Sequence, residues 1–237
     1  MNLKKAIWIT GASSGIGKAL TLEFARNGEI VIATSRRVNL IENYKQEFGD
    51  NSLNIIPEEV NLADLNSIEN FYNKYSGKYF FNTLINNAGI SSFKNALDDS
   101  LEDIKKIIEV NLLGAIYSIK KVLPKMIEMN NGTIINILSV VTQKIFSGSS
   151  AYSAAKSGLL AYSNSLREEV RKNNIRVINV IPGATKTPIW DSKVLEKYSH
   201  RMMSPEDIAK LIYQIYSIKN NIVTEEIVIR PIEGDLN

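Results

Sequence analysis

The sequence predicts an α/β fold, a doubly wound parallel sheet with helices on both faces, and three observations carry that reading. Short β-branched runs alternate with longer amphipathic stretches along most of the chain, so β-α-β units repeat. The residues with evident chemistry fall just beyond the strands, the end at which such sheets bind ligands. No Pro/Gly/Ser-rich linker and no internal repeat interrupts the 237 residues, so one domain over 1–237 is the simplest organisation.

The elements follow in order. Ala6-Ile7-Trp8-Ile9-Thr10 predicts a strand, then a glycine turn, then a helix over 18–27 that Gly28 stops. Strands are expected over 30–34, 53–60, 83–87, 133–138 and 175–181, with helices over 67–75, 101–129 and 152–171. Ser204-Pro205 opens another helix, a hydroxyl N-cap followed by proline at the first helical position, and a last strand lies over 226–230.

Composition removes several classes of function. With 44% apolar and 22% charged residues the chain has ordinary globular usage and length for a sizeable core. A net charge of +3 arises from cations interleaved with acids, which gives no case for nucleic acid. There are no cysteines, and the single histidine, His200, cannot build a His/Cys metal site, so no metal is expected. The apolar run over 6–9 is shorter than a signal-peptide core, and no stretch approaches a membrane span. A cytoplasmic protein with no membrane partner is the expectation.

Thr10-Gly11-Ala12-Ser13-Ser14-Gly15-Ile16-Gly17 puts glycines where a backbone leaves a strand, turns tightly and enters a helix. A pyrophosphate would sit on that helix N-terminus, held by free N–H groups and the positive end of the dipole. A phosphate-binding loop of a nucleotide hydrolase is the remote alternative, suggested by Gly17-Lys18. Ala12 stands where its first glycine belongs, and Ala19 where its magnesium-binding hydroxyl belongs. The second strand ends at Ser35-Arg36-Arg37, where an NAD-selective fold would place a carboxylate on the ribose. Guanidinium groups bind a 2′-phosphate instead, so NADP(H) is expected in preference to NAD(H); the alternative is two arginines opening a solvated helix.

Tyr152 and Lys156 are four residues apart and share one helix face, where a nearby ammonium would lower the phenol pKa. With the glycine turn, Asn86-Asn87-Ala88-Gly89, Ser139 and Tyr152-x-x-x-Lys156 in this order, the chain resembles the short-chain dehydrogenase/reductase family. Ser139 lies thirteen residues before Tyr152 (152 minus 139), the family's usual separation. The resemblance implies a Rossmann-like sheet of about seven strands and nicotinamide-dependent interconversion of carbonyls and alcohols. It implies a catalytic set of Asn111, Ser139, Tyr152 and Lys156. Around the cofactor it implies Gly11, Ser13, Ser14, Gly15, Ile16, Gly17, Ser35, Arg36, Arg37, Asn61, Leu62, Asn87, Ala88, Gly89, Tyr152 and Lys156. Pro182-Gly183-Ala184-Thr185-Lys186-Thr187 resembles the family's Pro-Gly-x-x-x-Thr segment, which implies contacts from Pro182, Gly183, Thr185 and Thr187 to the nicotinamide. Asn61 replaces the usual aspartate beside adenine, and an amide can still pair there.

In this scheme Tyr152 exchanges a proton with the substrate oxygen, Ser139 hydrogen-bonds it, and Lys156 tunes the phenol and holds ribose. Asn111, a mediocre helix residue inside a predicted helix, hints at a local kink or bound water. The apolar stretch 188–203 reads as a substrate lid, with Ile189 and Trp190, together with Val141, Gln143 and Phe146, facing a small-molecule carbonyl or alcohol. Ala151, Ala154, Ala155, Gly158 and Ala161 make a small-residue stripe, consistent either with packing inside one subunit or with the homo-oligomers, dimer or tetramer, that the resemblance implies. The functional alternative from a different class is a sensor that binds NADP(H) without turnover.

Overall fold

In the computed structural model, residues 3–47, 53–218 and 221–236 are described. The strands are β1 (Lys4–Thr10), β2 (Val31–Ser35), β3 (Ile55–Glu59), β4 (Tyr79–Asn86), β5 (Gly132–Ile137), β6 (Ile175–Pro182) and β7 (Glu226–Ile229). They form one seven-stranded sheet in the order β3-β2-β1-β4-β5-β6-β7, and every pairing is parallel. The helices between them are α1 (Gly15–Arg26), α2 (Val38–Glu47), α3 (Leu65–Ser76), α4 (Leu101–Ile108), α5 (Gly114–Glu128), α6 (Ser150–Val170), α7 (Ser192–Tyr198) and α8 (Pro205–Ser217). The predicted Rossmann-like α/β architecture is the one observed.

The apolar run of β1 shows how sequence becomes layers. Ile7 and Ile9 point into a core with Leu20 and Phe24 of α1 and Ile208 and Ile212 of α8. Ala6 and Trp8 point the other way, into a core with Phe71 of α3, Val122 of α5 and Leu166 of α6. A period of two divides one continuous apolar stretch between both faces, as a strand covered on both sides requires. Trp8 is fully buried, and its indole N–H donates to Thr34 Oγ1 at 2.9 Å, so its one polar atom is satisfied. After β3 the chain crosses back to place β4 on the other side of β1. This reversal opens a crevice at the carboxyl ends of β1 and β4.

Two features differ from the sequence expectation. The helix over 101–129 is α4 and α5 joined by a π-helical turn, Glu109–Leu113. Buried Asn111 clamps the backbone of Ile90, accepting from its N–H at 2.9 Å and donating to its C=O at 2.8 Å. A Cβ on Gly114 would meet Leu62 O at 2.5 Å, so the next turn presses directly on a loop. The widened turn accommodates both constraints, and such turns concentrate at functional sites. Helix α2 entered the sequence reading only as the solvated helix that Arg36 and Arg37 could open, because only Ile41 and Tyr44 of its ten residues are buried and the apolar period is faint.

Asn86, Asn136 and Asn179 occupy one register across β4, β5 and β6. Asn86 Nδ2 donates to Asn136 Oδ1 at 2.9 Å, Asn136 Nδ2 to Ser163 Oγ at 2.9 Å, and Asn179 Nδ2 to Asn164 Oδ1 at 3.1 Å. This buried ladder ties α6 to the centre of the sheet and so fixes the helix that carries Tyr152 and Lys156.

Candidate functional site

A cavity of ≈ 650 Å³ runs across the carboxyl ends of the central strands, lined from the glycine turn at one end to Ser139, Tyr152 and Trp190 at the other. At the first end, Gly11 (φ +66°) and Gly15 (φ +55°) adopt a left-handed backbone that glycine takes without penalty. A Cβ on Gly11 would lie 2.6 Å from Ala88 Cα, and one on Gly17 would strike Gly11 O and Asn87 Nδ2. Asn87 Nδ2 donates to Thr10 O (3.0 Å) and Gly11 O (3.1 Å), so residues 86–89 brace the turn from behind.

The helix starts differ in how they are capped, and α6, like α1, begins without a side-chain cap or an acidic first turn. The starts of α3, α4 and α8 are capped by the side chains of Asp64, Ser100 and Ser204. The start of α1 has no side-chain cap and no acidic residue in its first turn. Its free N–H groups face the cavity, an arrangement suited to an anion. Arg37 reaches the same place, its Nη2 3.1 Å from Ser13 Oγ and 3.3 Å from Ser14 Oγ, and its N–H donates to Ser35 Oγ at 3.0 Å. Arg36 also borders the cavity, and both guanidiniums are solvent-accessible. Asn61 lies on the wall with its Oδ1 accepting from Ala63 N at 3.2 Å, next to Leu62.

At the other end, β5 delivers Ser139, and α6 buries Tyr152 (8% exposed) and Lys156 (3%) against it. Lys156 Nζ donates to Ile137 O at 2.8 Å and lies 5.8 Å from the Tyr152 ring centroid. Gly89 lies alongside both, its Cβ position 3.4 Å from Lys156 Nζ and 3.7 Å from Asn111 Oδ1. The electrostatics differ from the expectation that Lys156 governs the phenol. Burial pushes Tyr152 up to about 12, partly offset by a hydrogen bond from Ser139, and burial pushes Lys156 down to about 8. Desolvation is the largest cause in both cases.

Lys156 therefore carries a stability signature. The folded chain releases its proton near pH 8, whereas the unfolded chain holds it up to the ordinary lysine value of 10.5. Between those values the unfolded state binds more protons, so this group's contribution to stability rises with pH; below pH 8 the buried charge imposes its full cost. Lys156→Met removes that cost but leaves Ile137 O without its donor. It should stabilise the cofactor-free protein by on the order of 1 kcal/mol at pH 7, an advantage that shrinks as pH rises from 8 to 10.5. Urea unfolding at several pH values checks this, and an advantage independent of pH contradicts it.

The remaining residues singled out from sequence divide clearly. Ser13, Ser14, Ile16, Asn87, Ala88, Pro182, Gly183, Thr185 and Thr187 line the cavity, as do Val141, Phe146, Ile189 and Trp190. Gly17 and Asn111 stand behind the wall as supports. Gln143 is exposed on the rim, its Oε1 3.5 Å from Arg230 Nη2. In the small-residue stripe, Ala151 and Ala155 pack against Ile107 within the chain, whereas Ala154 and Ala161 are exposed. Sequence reading missed Phe93, which has φ +46° and a ring stacked on Trp190 (centroids 5.2 Å, 3° between planes) and 6.1 Å from Tyr152. It also missed Asp235, on the cavity wall. Among the described residues, no group of three His/Cys/Asp/Glu could hold a metal, and no helix is long and apolar enough to cross a membrane.

A parallel sheet with a braced glycine turn, an open helix N-terminus and a buried Tyr/Lys/Ser cluster in one cavity defines a dinucleotide-dependent oxidoreductase. The short chain dehydrogenase family matches over residues 5–197, and the chain belongs to that family. It is similar, at 31% identity and with 99% of each chain covered, to sepiapterin reductase of Chlorobaculum tepidum. It is 33% identical to the 3-oxoacyl-[acyl-carrier-protein] reductase of Thermotoga maritima, covering 98% of this chain and 97% of that one. Among solved structures, the closed form of a serine dehydrogenase complexed with NADP⁺ superposes with a TM-score of 0.89 at 27% identity, covering 98% and 96% of the two chains.

Proposed function

We propose that this protein is an NADP(H)-dependent carbonyl reductase that interconverts a ketone or aldehyde and an alcohol, with Tyr152 as general acid and base. The observation that carries this reading is the convergence of buried Tyr152 and Lys156 with half-buried Ser139 in the cavity that also contains the glycine turn. Bound there, the nicotinamide supplies or accepts the hydride. In reduction, negative charge develops on the substrate oxygen, Ser139 donates a hydrogen bond to it, and the Tyr152 hydroxyl transfers the proton that completes the alcohol. A phenol pushed up to about 12 is protonated at neutrality, the form that can donate. Lys156 holds the cofactor ribose, and Asn111, clamped to the Ile90 backbone, supports the segment beside it. Arg36 and Arg37 take the 2′-phosphate, and an NADP⁺-bound structural relative supports that choice.

Residues 188–203 form the lid in this scheme. Ile189, Trp190 and Tyr198 contribute to the cavity wall, and Trp190 is anchored by its N–H donating to Thr185 O at 3.0 Å. The exposed Ala154 and Ala161 of the small-residue stripe support self-association as a homo-oligomer, dimer or tetramer, which a solution mass measurement decides. The catalytic proposal is tested by following NADPH absorbance with a panel of ketones, aldehydes, hydroxy acids and sugar alcohols. Tight NADPH binding with no turnover across the panel would leave a nucleotide sensor instead.

A further inference from the structure

We infer that Asp235 is a specificity-determining residue whose Oδ1 accepts a hydrogen bond from a neutral N–H or O–H of the substrate. The inference rests on the carbonyl-reductase reading of the same cavity and adds a recognition element to it. After β7 the chain makes a tight turn, with Gly234 N donating to Pro231 O at 2.9 Å and Gly234 at φ +81°, a conformation suited to glycine. This turn brings Asp235 back to the sheet beside Gly183, where a Cβ on that glycine would lie 3.5 Å from Asp235 Oδ1. Asp235 thus lines the cavity that also holds Tyr152, Ser139 and Trp190.

Its two oxygens have different surroundings. Oδ2 receives Arg230 Nη1 at 2.5 Å and lies 3.5 Å from Lys144 Nζ. Oδ1 is buried and has no partner, although the side chain is only 5% exposed. A buried acceptor left unmade is costly, and a carboxylate oxygen more so than a neutral one, so a group supplied by the substrate recovers that cost on binding. The charges around it decide what kind of group. An anion would meet the carboxylate directly. A cation would find that carboxylate already offset by two cations. A neutral donor meets neither obstacle, which selects carbonyl compounds bearing an amide-type N–H or a hydroxyl away from the reacting carbon.

Isatin and N-methylisatin provide the test, since they share the reducible ketone and differ in ring N–H against N–CH3. NADPH-dependent kcat/KM for the two should favour isatin by about tenfold in the wild type, the range of a hydrogen bond to a charged group. In Asp235→Asn the single oxygen is claimed by Arg230, which turns an NH2 toward the cavity at unchanged volume. The ratio should then fall to about one, whatever the change in the two values separately. A preference caused only by the bulk of the methyl group would persist in this variant, and that result overturns the inference, as does a wild-type ratio near one. The ratio is read within each variant, so partial loss of folded protein cancels. Calorimetry of the same pair on the NADP⁺ complex separates the two proposals. A binding preference that Asp235→Asn abolishes, without turnover of either probe, supports the Asp235 assignment and removes the reductase reading.

Discussion

Tyr152→Phe should lower NADPH-dependent carbonyl reduction by about 10³-fold, within the range of a general acid's contribution, while NADPH affinity changes by less than about twofold. The expectation follows from what the cavity offers as proton donors. Ser139 has a hydroxyl too weakly acidic to serve, and Lys156 Nζ donates to Ile137 O at 2.8 Å. Arg36 and Arg37 stand at the far end, beside the glycine turn. Phenylalanine keeps the ring that lies 6.1 Å from Phe93 and the volume that α6 buries, so the fold and the phosphate-binding turn stay intact. The loss should appear in kcat and kcat/KM together, the mark of an interaction made in the transition state. Steady-state rates and fluorescence titration of NADPH decide the matter: normal turnover refutes the acid/base role, and a collapse of NADPH binding shows the ring to be structural.

The parts of this site legible in the sequence are those whose demands are local. A glycine with positive φ and a glycine pressed on a neighbouring carbonyl, Gly11 and Gly17, are required by a turn a few residues long. Tyr152 and Lys156 meet because a helix places i and i+4 on one face, whereas Ser139 is placed beside them only by the resemblance to the family. What sequence concealed depends on contacts across the fold. Asp235 matters because a turn returns it to Gly183, more than fifty positions earlier (235 minus 183 is 52), and nothing near either residue announces the contact. Phe93 acquires its place from Trp190 and Tyr152, and no local pattern demands its left-handed backbone. The π-turn at Asn111 was foreshadowed by an awkward residue in a helix, but its cause is a clamp on Ile90. The phenol pKa was the subtlest case, because spacing reveals a nearby ammonium and not the depth to which both groups are buried.

The combined variant Arg36→Ala, Arg37→Ala should weaken NADP(H) by about 10²-fold and NAD(H) by no more than severalfold. A hydrogen bond to a charged group contributes about 1.5–3 kcal/mol, so losing two such contacts to a 2′-phosphate gives a change of at least that order. The two side chains are not equivalent. Arg37 is held by Ser13 and Ser14 hydroxyls at 3.1 and 3.3 Å, so its guanidinium is positioned before the phosphate arrives. Arg36 is exposed and also borders a second, smaller groove beside Lys94 and Lys106, and it should contribute less as a single substitution. Because both guanidiniums face water, the preference for NADP(H) should narrow as ionic strength rises and the exposed charges are screened. The NAD(H) arm controls for a second effect: Arg37 also ties the glycine turn together, and loosening the turn would weaken both cofactors alike. Equal weakening of NADP(H) and NAD(H), measured by titration at fixed salt, would assign the arginines to the turn and remove the phosphate reading.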